Sequence, residues 1–196
     1  MSELVEGVAM KYCQSCGSSV TLKTPENDSL PRHTCNACGK VYYRNPVVVA
    51  GCIPFWKEKV LLCRRAIEPG YGCWTAPGGY VESGETVEQC AQREAWEEAR
   101  IKIKLGKILS VTNVTAANQV HVFFRADMMS ANFEVASECL EARLFDPRDI
   151  PWDEIAFYSV EETLRRELER DSGLFGLHRF PLNLTSLRPP RRSVST

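Results

Sequence analysis

The sequence contains no apolar run long enough to span a membrane, and it shows no internal repeat. Its longest apolar stretch, residues 47–56, contains Pro54 and falls well below the roughly 20 residues that a membrane helix needs. The N-terminal segment MSELVEGVAMKY lacks the basic-then-apolar order of a secretory signal and the arginine-rich, acid-poor character of a transit peptide. A net charge of -1 provides no general attraction to nucleic acid or to acidic membranes. We therefore expect a cytoplasmic protein without a membrane partner.

Cysteine is abundant, with nine residues, but the odd count and the missing secretory signal argue against a disulfide framework. Cys13 and Cys16 form one Cys-x2-Cys pair, and Cys35 and Cys38 form a second, at the spacing of a four-thiolate zinc ribbon. Four thiolates fill a tetrahedral zinc, so we predict a structural Zn²⁺ with His33 as a bystander. Disulfides or free thiols remain the alternative. The other five cysteines lie in apolar or helical stretches and are predicted to be small buried hydrophobes without chemistry: Cys52, Cys63, Cys73, Cys90 and Cys139.

The hydrophobic pattern predicts a mixed α/β domain after the cysteine-rich module. A hairpin is predicted from VVVAGCIPFW and KVLLCRRA, and a glycine-rich loop then leads to a helix that begins near Thr86. Three strands follow, in KIKLGKILSVTNV, NQVHVFFRADM and EARLF, and helices from Pro151 onward close the domain. The predicted organisation is an N-terminal tail at 1–9, a zinc ribbon at 10–44, the α/β domain at 45–172 and a largely irregular extension at 173–196.

The predicted helix carries a cluster of three acidic residues on one face. Glu94, Glu97 and Glu98 are related as i, i+3 and i+4, so their carboxylates lie within about 100° of arc. Like charges at this spacing destabilise an isolated helix, whereas clustered oxygen ligands suit Mg²⁺ or Mn²⁺. Arg93 beside them is expected to orient one carboxylate; a plain surface pair with Glu97 is the alternative. The cluster is therefore a candidate metal site.

Small residues are expected to position this acidic face. Val87, Ala91, Ala95 and Ala99 form a narrow stripe that allows the helix to pack closely on the sheet. Ahead of the helix, the glycine pair at 78–79 allows backbone groups to approach a ligand where a side chain would collide. We therefore expect the Gly79 carbonyl to be able to contact the metal.

The stretch GYVESGETVEQCAQREAWEEARI at 79–101 resembles the Nudix box, a highly specific pattern. It departs from the family pattern at Arg100, which stands where the family has glycine at the helix C-terminus. A left-handed cap there would cost a non-glycine residue about 1 kcal/mol, so we expect a changed cap with metal binding intact. The matching positions are Gly79, Glu85, Arg93, Glu94, Ala95, Glu97, Glu98 and Ile101.

The resemblance implies the αβα-sandwich Nudix fold and metal-dependent attack of water on a pyrophosphate. It also implies that Gly79, Glu94, Glu97 and Glu98 bind Mg²⁺ or Mn²⁺, and that the protein is a homodimer. The family pattern does not identify the general base. It is either a box glutamate, Glu97 or Glu98, or one of the later acidic residues. Those later acids are Glu138 and Glu141.

The whole arrangement of residues 10–172 is similar to the zinc-ribbon Nudix hydrolases that include the plant plastid FAD diphosphatases. This resemblance implies FAD or ADP-ribose as substrate. The NADH diphosphatases of the family carry a Ser-Gln-Pro-Trp-Pro-Phe-Pro signature that this sequence lacks, so NADH ranks lower. Tyr71 and Trp74 are candidates to stack on a flavin or adenine; for Trp74 a core position is the alternative.

Two other functional classes were weighed against the enzyme. An RNA-binding or cap-removing role is disfavoured, because residues 10–44 carry only a mild surplus of positive charge. A non-catalytic scaffold is disfavoured because no glutamate of the box is lost. The expected partner is therefore a small nucleotide, not a nucleic acid.

Overall fold

The computed structural model describes residues 10–169, which form two compact units divided between Pro46 and Val47. The predicted tail at 1–9 and the predicted extension at 173–196 lie outside the described residues. Within the described part of the chain, no helix has the length and apolar character needed to cross a membrane.

The first unit is built on a small antiparallel sheet. Its strands are β1 (Val20–Lys23), β2 (Arg32–Cys35) and β3 (Val41–Tyr42), in the order β1-β2-β3. The register places Val20 opposite Cys35 and His33 opposite Tyr42. The two cysteine pairs lie just before β1 and at the end of β2, so the sheet brings them to one place.

The second unit is built on a seven-stranded mixed sheet. Its central path runs in the order β10-β5-β4-β9-β8, with the short β6 paired to β5 and β7 paired to β4. The β4–β9 pair is parallel, and the other pairs are antiparallel. The strands are β4 (Val47–Trp56), β5 (Lys59–Arg65), β6 (Trp74–Thr75), β7 (Gly78–Tyr80), β8 (Ile103–Val114), β9 (Gln119–Met128) and β10 (Cys139–Phe145).

One edge of β4 has two partners, and Pro54 lies between them. The β7 register covers Val49 to Gly51, and the β5 register begins at Phe55. Proline has no N–H to donate, so it is tolerated in a strand where the ladder is interrupted. A Cβ on Gly51 would lie 2.9 Å from the Cα of Gly78, which shows how closely β7 approaches β4 at the first paired stretch.

Two helices cover opposite core clusters of the sheet, α1 (Val87–Ala99) and α2 (Tyr158–Leu168). The predicted small-residue stripe is confirmed, since Ala91, Ala95 and Ala99 are fully buried in the cluster under α1. Val160 and Leu164 of α2 are buried in the second cluster. The predicted Nudix αβα sandwich is therefore the observed fold.

The helix α1 is capped at both ends. At its start, the Thr86 hydroxyl accepts a hydrogen bond from the Gln89 N–H, and the Gln89 side chain accepts one from the Thr86 N–H. At its end, Arg100 has φ of 53° and its N–H reaches back to the carbonyls of Ala95 and Trp96. The expectation of a changed cap is wrong, because Arg100 adopts the left-handed conformation that glycine would have. The guanidinium lies over the Trp96 ring, 5.6 Å from its centroid.

The segment after β10 is less helical than predicted. PWDEIAF contains a single short 3-10 helix at Trp152–Glu154, and α2 begins at Tyr158. Both lie next to the sheet, and Ala156 donates a backbone hydrogen bond to Trp74 of β6 at 2.8 Å. This segment therefore carries Phe157 to the edge where β6 and β7 lie.

Candidate active site and zinc centre

The four ribbon cysteines converge on one point. Their Sγ atoms all lie within 4.8 Å of one another, with 3.7 Å between Cys13 and Cys38 and 3.5 Å between Cys16 and Cys35. A tetrahedral zinc with Zn–S bonds of about 2.3 Å requires sulfur atoms roughly 3.8 Å apart, so the cluster fits the ion. His33 is not part of this group. The ribbon is therefore a structural zinc site with four thiolate ligands.

Hydrogen bonds around this site favour the thiolate form of Cys13 and Cys35, whereas, against the lowering effect of the Lys40 backbone, the neighbouring thiols raise the pKa of Cys38 to about 11. The Tyr42 hydroxyl lies 3.0 Å from Cys13 Sγ and lowers the pKa of that thiol to about 6. The N–H groups of Cys38 and Ala37 both point to Cys35 Sγ at 3.4 Å, and they lower the pKa of Cys35. The sequence offered no signal for Tyr42, since its partner lies 29 residues earlier in the chain.

The main unit has a cavity of about 420 Å³ beside β7 and α1. This volume is within the range of roughly 300–1,000 Å³ that is typical of small-molecule sites. The lining includes four carboxylates, Glu68, Glu94, Glu98 and Glu138, together with Arg65 and the glycine pair at 78–79. Its remaining part is aromatic, aliphatic and polar: Val49, Ile67, Pro69, Thr75, Ala76, Tyr80, Ala117, Gln119, His121, Phe123, Phe157 and Val160.

Two of the three clustered glutamates line this cavity, Glu98 from a buried position and Glu94 from a half-buried one. Glu98 is 8% exposed, accepts a hydrogen bond from the Gly78 backbone and makes no ion pair within residues 10–169. Burial raises the pKa of the Glu98 carboxyl well above its usual range. Burial also raises the pKa of Glu94, against the opposing effect of Arg93. A divalent cation here would offset the unfavourable charge of both groups.

Arg93 holds the acidic cluster together. Its guanidinium binds Glu85 through two contacts of 2.7 and 3.2 Å, Glu94 at 2.7 Å and Glu97 at 2.9 Å, and it donates to the Tyr80 carbonyl at 3.0 Å. The two interpretations weighed for Arg93, orientation of a carboxylate and pairing with Glu97, therefore both describe contacts that it makes. Hydrogen bonding from Arg93 lowers the pKa of Glu85 to about 2. Glu85 thereby fixes Arg93 from the loop side.

The backbone of Gly79 lies directly against one carboxylate. A Cβ on Gly79 would overlap the Glu94 side chain, with 2.6 Å to its Cδ atom. Gly79 therefore provides the close backbone approach that the glycine pair predicts. A hard cation with oxygen ligands would suit this place, because the carboxylates of Glu98 and Glu94 lie beside the Gly79 backbone. The residues fit Mg²⁺ or Mn²⁺.

The other predicted site residues differ in whether they line the cavity. Glu97 keeps 52% of its side chain exposed and does not line the cavity. Glu141 pairs with Arg64 and Arg143 and does not line the cavity either, whereas Glu138 does. Trp74 is 4% exposed and packs edge-on against Phe145 in the core, so it occupies the core position given above as the alternative to stacking on the substrate. Tyr71 is 53% exposed and does not line the cavity.

A chain of hydrogen bonds along the cavity was not foreseen. His121 is 7% exposed and is held between Ser159 Oγ and Gln119 Oε1, both at 2.8 Å, while the Gln119 amide donates to the Tyr80 hydroxyl at 2.9 Å. Because the Gln119 oxygen can only accept, Nε2 of His121 carries the proton and Nδ1 accepts from Ser159. Burial lowers the pKa of His121 to about 4, so the ring is neutral near pH 7.

Comparison with known proteins agrees with this geometry. The model of the NUDIX domain matches residues 45–158, and the zinc-ribbon model described as Nudix N-terminal matches residues 11–44. The chain therefore belongs to the Nudix hydrolase family, in the group with an N-terminal zinc ribbon. It is a Nudix pyrophosphatase, and enzymes of this family use Mg²⁺ or Mn²⁺.

Known proteins that resemble this chain carry two different activities in their names. The ADP-ribose pyrophosphatase of Methanocaldococcus jannaschii is 32% identical over 113 residues, which cover 56% of this chain and 67% of that protein. The NAD-capped RNA hydrolase NudC of Chromobacterium violaceum is 38% identical over 94 residues, which cover 48% of this chain. The match spans 34% of that NudC protein. A crystal structure of a Nudix hydrolase from Nitrosomonas europaea is 43% identical with a TM-score of 0.82, covering 87% of this chain and 97% of the other.

Proposed function

We propose that the protein hydrolyses the pyrophosphate bond of an ADP-linked substrate, with FAD preferred and ADP-ribose second. The observation that carries this proposal is the cavity at β7 and α1, which combines the carboxylates of Glu94, Glu98 and Glu138 with an aromatic and aliphatic wall. Carboxylates suit a metal-bound diphosphate, and apolar walls with a few polar groups suit an aromatic nucleobase. The M. jannaschii relative named as an ADP-ribose pyrophosphatase supports the ADP-linked class.

Each box residue has a distinct role in this proposal. Glu94, Glu98 and the Gly79 carbonyl would hold Mg²⁺, with Glu97 as a further ligand from its exposed position. The ion would supply positive charge for the phosphate oxygens and acidify the attacking water. Arg93 is a positioning residue, because it holds Glu94 and Glu97 through one Nη1 atom. Arg65 lines the same cavity and is placed to contact a phosphate.

We assign the general base to Glu138, because it lines the cavity and Glu141 does not. The two residues provide a matched pair for the test. Glu138→Gln should lower kcat by about 10²–10⁴-fold, the usual contribution of a general base, while Glu141→Gln should keep the wild-type kcat. The pH profile of kcat should lose its acidic limb in Glu138→Gln alone. Equal kcat values in the two variants would show that Glu138 is not the base.

A substrate panel tests the proposed specificity. FAD, ADP-ribose, NADH, a dinucleoside polyphosphate and NAD-capped RNA should be compared by product chromatography in the presence of Mg²⁺. We expect kcat/KM to be highest for FAD, which should yield FMN and AMP. A marked preference for NADH would refute the FAD assignment. It would also show that an NADH diphosphatase can lack the Ser-Gln-Pro-Trp-Pro-Phe-Pro signature.

The second candidate function is hydrolysis of NAD-capped RNA or NADH. It is favoured by the NudC relatives, which match this chain at 28–38% identity. Capped RNA cleaved faster than FAD in the same panel would establish it. In either case, Glu98→Gln should lower Mg²⁺-dependent turnover by orders of magnitude while the fold stays intact, because the variant removes a buried ligand. Wild-type turnover in Glu98→Gln would refute the site assignment itself.

A further inference from the structure

We propose that Cys63, Cys139 and Glu98 form a second metal site, which binds a thiophilic divalent cation such as Zn²⁺ or Cd²⁺. The site shares Glu98 with the proposed Mg²⁺ site, so its occupation competes with Mg²⁺ and inhibits hydrolysis. The inhibition rests on the proposed function, whereas the binding itself does not. This interpretation replaces the prediction that the cysteines outside the ribbon have no chemistry.

The three ligand atoms converge through pairing that is distant in sequence. Both Sγ atoms and a Glu98 carboxylate oxygen lie within 4.8 Å of one another, and all three residues are buried. Cys63 lies on β5, and Cys139 begins β10 opposite Arg65, next to a shift in register before Glu141. Glu98 lies in the last turn of α1, in the same buried region as the two thiols. Sheet and helix thus bring two sulfurs and one oxygen together.

The donor set distinguishes this site from the proposed Mg²⁺ site. Mg²⁺ takes oxygen ligands, while thiolates select softer ions such as Zn²⁺. A tetrahedral ion with Zn–S of about 2.3 Å and Zn–O of about 2.0 Å needs ligand atoms roughly 3.3–3.8 Å apart, so the group requires a small closure. On binding, the two thiols release their protons to solvent, and two thiolates with one carboxylate surround the dication. A water molecule completes four-coordination.

The cavity gives the cation a route to the site. Glu98 lines the cavity, and its carboxylate lies within 4.8 Å of both thiols, so an ion that enters toward the carboxylate comes close to the two sulfurs. Cys52 provides a matched control, because it is equally buried in the same core cluster but is not part of the ligand group. The ribbon thiols form a separate group in the other unit.

The test is a Cd²⁺ titration of the full chain with its ribbon zinc in place, followed by ultraviolet thiolate-to-cadmium absorption. Exchange at the ribbon contributes equally to every variant. Wild type and Cys52→Ser should show an additional absorption phase that is lost in Cys63→Ala and in Cys139→Ser. Circular dichroism should establish that the variants are folded. The same absorption in all four proteins would overturn the proposal.

Competition in the wild-type protein tests the shared ligand without relying on a variant. Mg²⁺ at ten times its own dissociation constant should raise the apparent Cd²⁺ dissociation constant about elevenfold. Glu98→Gln should keep a weaker thiolate–cadmium phase and lose this Mg²⁺ dependence. A phase that Mg²⁺ leaves unchanged would overturn the overlap of the two sites. If no substrate is hydrolysed, the proposed function fails, while the absorption measurements still decide the metal site.

Discussion

Glu98 carries a carboxyl group whose ionisation is opposed by burial, and Glu98→Gln isolates the effect of that charge on folding. The pKa of Glu98 is raised in the folded protein, whereas an unfolded glutamate titrates near about 4.3. Between these two pKa values the folded state binds one more proton at Glu98 than the unfolded state does. The stabilising contribution of this group is therefore fully present below the unfolded pKa and is lost as pH rises toward the folded pKa.

The size of the effect follows from the proton count. One extra bound proton lowers the free energy of unfolding by about 1.4 kcal/mol for each unit of rising pH. Because Glu98 is almost fully buried, solvent screening does little to reduce the rise in its pKa, which sets the pH range over which this slope applies. Glutamine has no proton to lose and removes the contribution. Between about pH 5 and the folded pKa of Glu98, Glu98→Gln should thus gain about 1.4 kcal/mol per pH unit over wild type, or roughly 3–6 °C in Tm.

The measurement is urea unfolding in Mg²⁺-free buffer, without chelator so that the ribbon keeps its zinc, at pH 5, 6 and 7. Glu97→Gln is the matched control, because its side chain is 52% exposed and its replacement should leave the slope unchanged. Added Mg²⁺ should reduce the advantage of Glu98→Gln, since the ion binds the charged form of Glu98. Parallel pH dependences in wild type and Glu98→Gln would refute the inference that burial opposes the ionisation of Glu98 in the metal-free protein.

Three further changes have defined outcomes. Ala95→Leu should lower the free energy of unfolding by about 1–3 kcal/mol, because the position is fully buried, whereas Gln92→Leu on the exposed face should have little effect in the same urea titration. Arg100→Gly should raise Tm by about 2–4 °C by relieving the left-handed conformation, and an unchanged or lower Tm would show that stacking on tryptophan compensates fully. Gly79→Ala should displace the flexible Glu94 carboxylate and lower kcat about 10–100-fold with little loss of Tm; an unchanged kcat would contradict the close approach.

The sequence predicted those parts of the molecule whose information is local. The i, i+3, i+4 spacing of the box glutamates and the Cys-x2-Cys pairs each lie within one turn or one loop, so their geometry is fixed by short-range backbone structure. The alanine stripe was equally predictable from the sequence, since helical periodicity alone places Ala91 and Ala95 on one face.

Features that depend on contacts between residues distant in sequence were not predictable in this way. His121 contacts Ser159, which lies 38 residues later in the chain, and Tyr42 contacts Cys13, which lies 29 residues earlier. No spacing rule predicts either contact. The proximity of Cys63 to Cys139 depends on the register of β5 and β10, which the sequence does not reveal. Glu138 and Glu141 were indistinguishable in the sequence, and only the path of the loop into β10 separates them.

One edge of β4 pairs with both β7 and β5, and the residues that line the cavity come from several separate parts of the chain. β7 and α1 carry the proposed metal ligands, whereas Ile67, Gln119 and Phe157 lie on other connections and on β9. Loops can change in length and sequence at little cost to the packed elements that they join. Substrate preference can therefore drift in this architecture while the hydrolytic chemistry is inherited unchanged, and relatives of similar fold need not share a substrate.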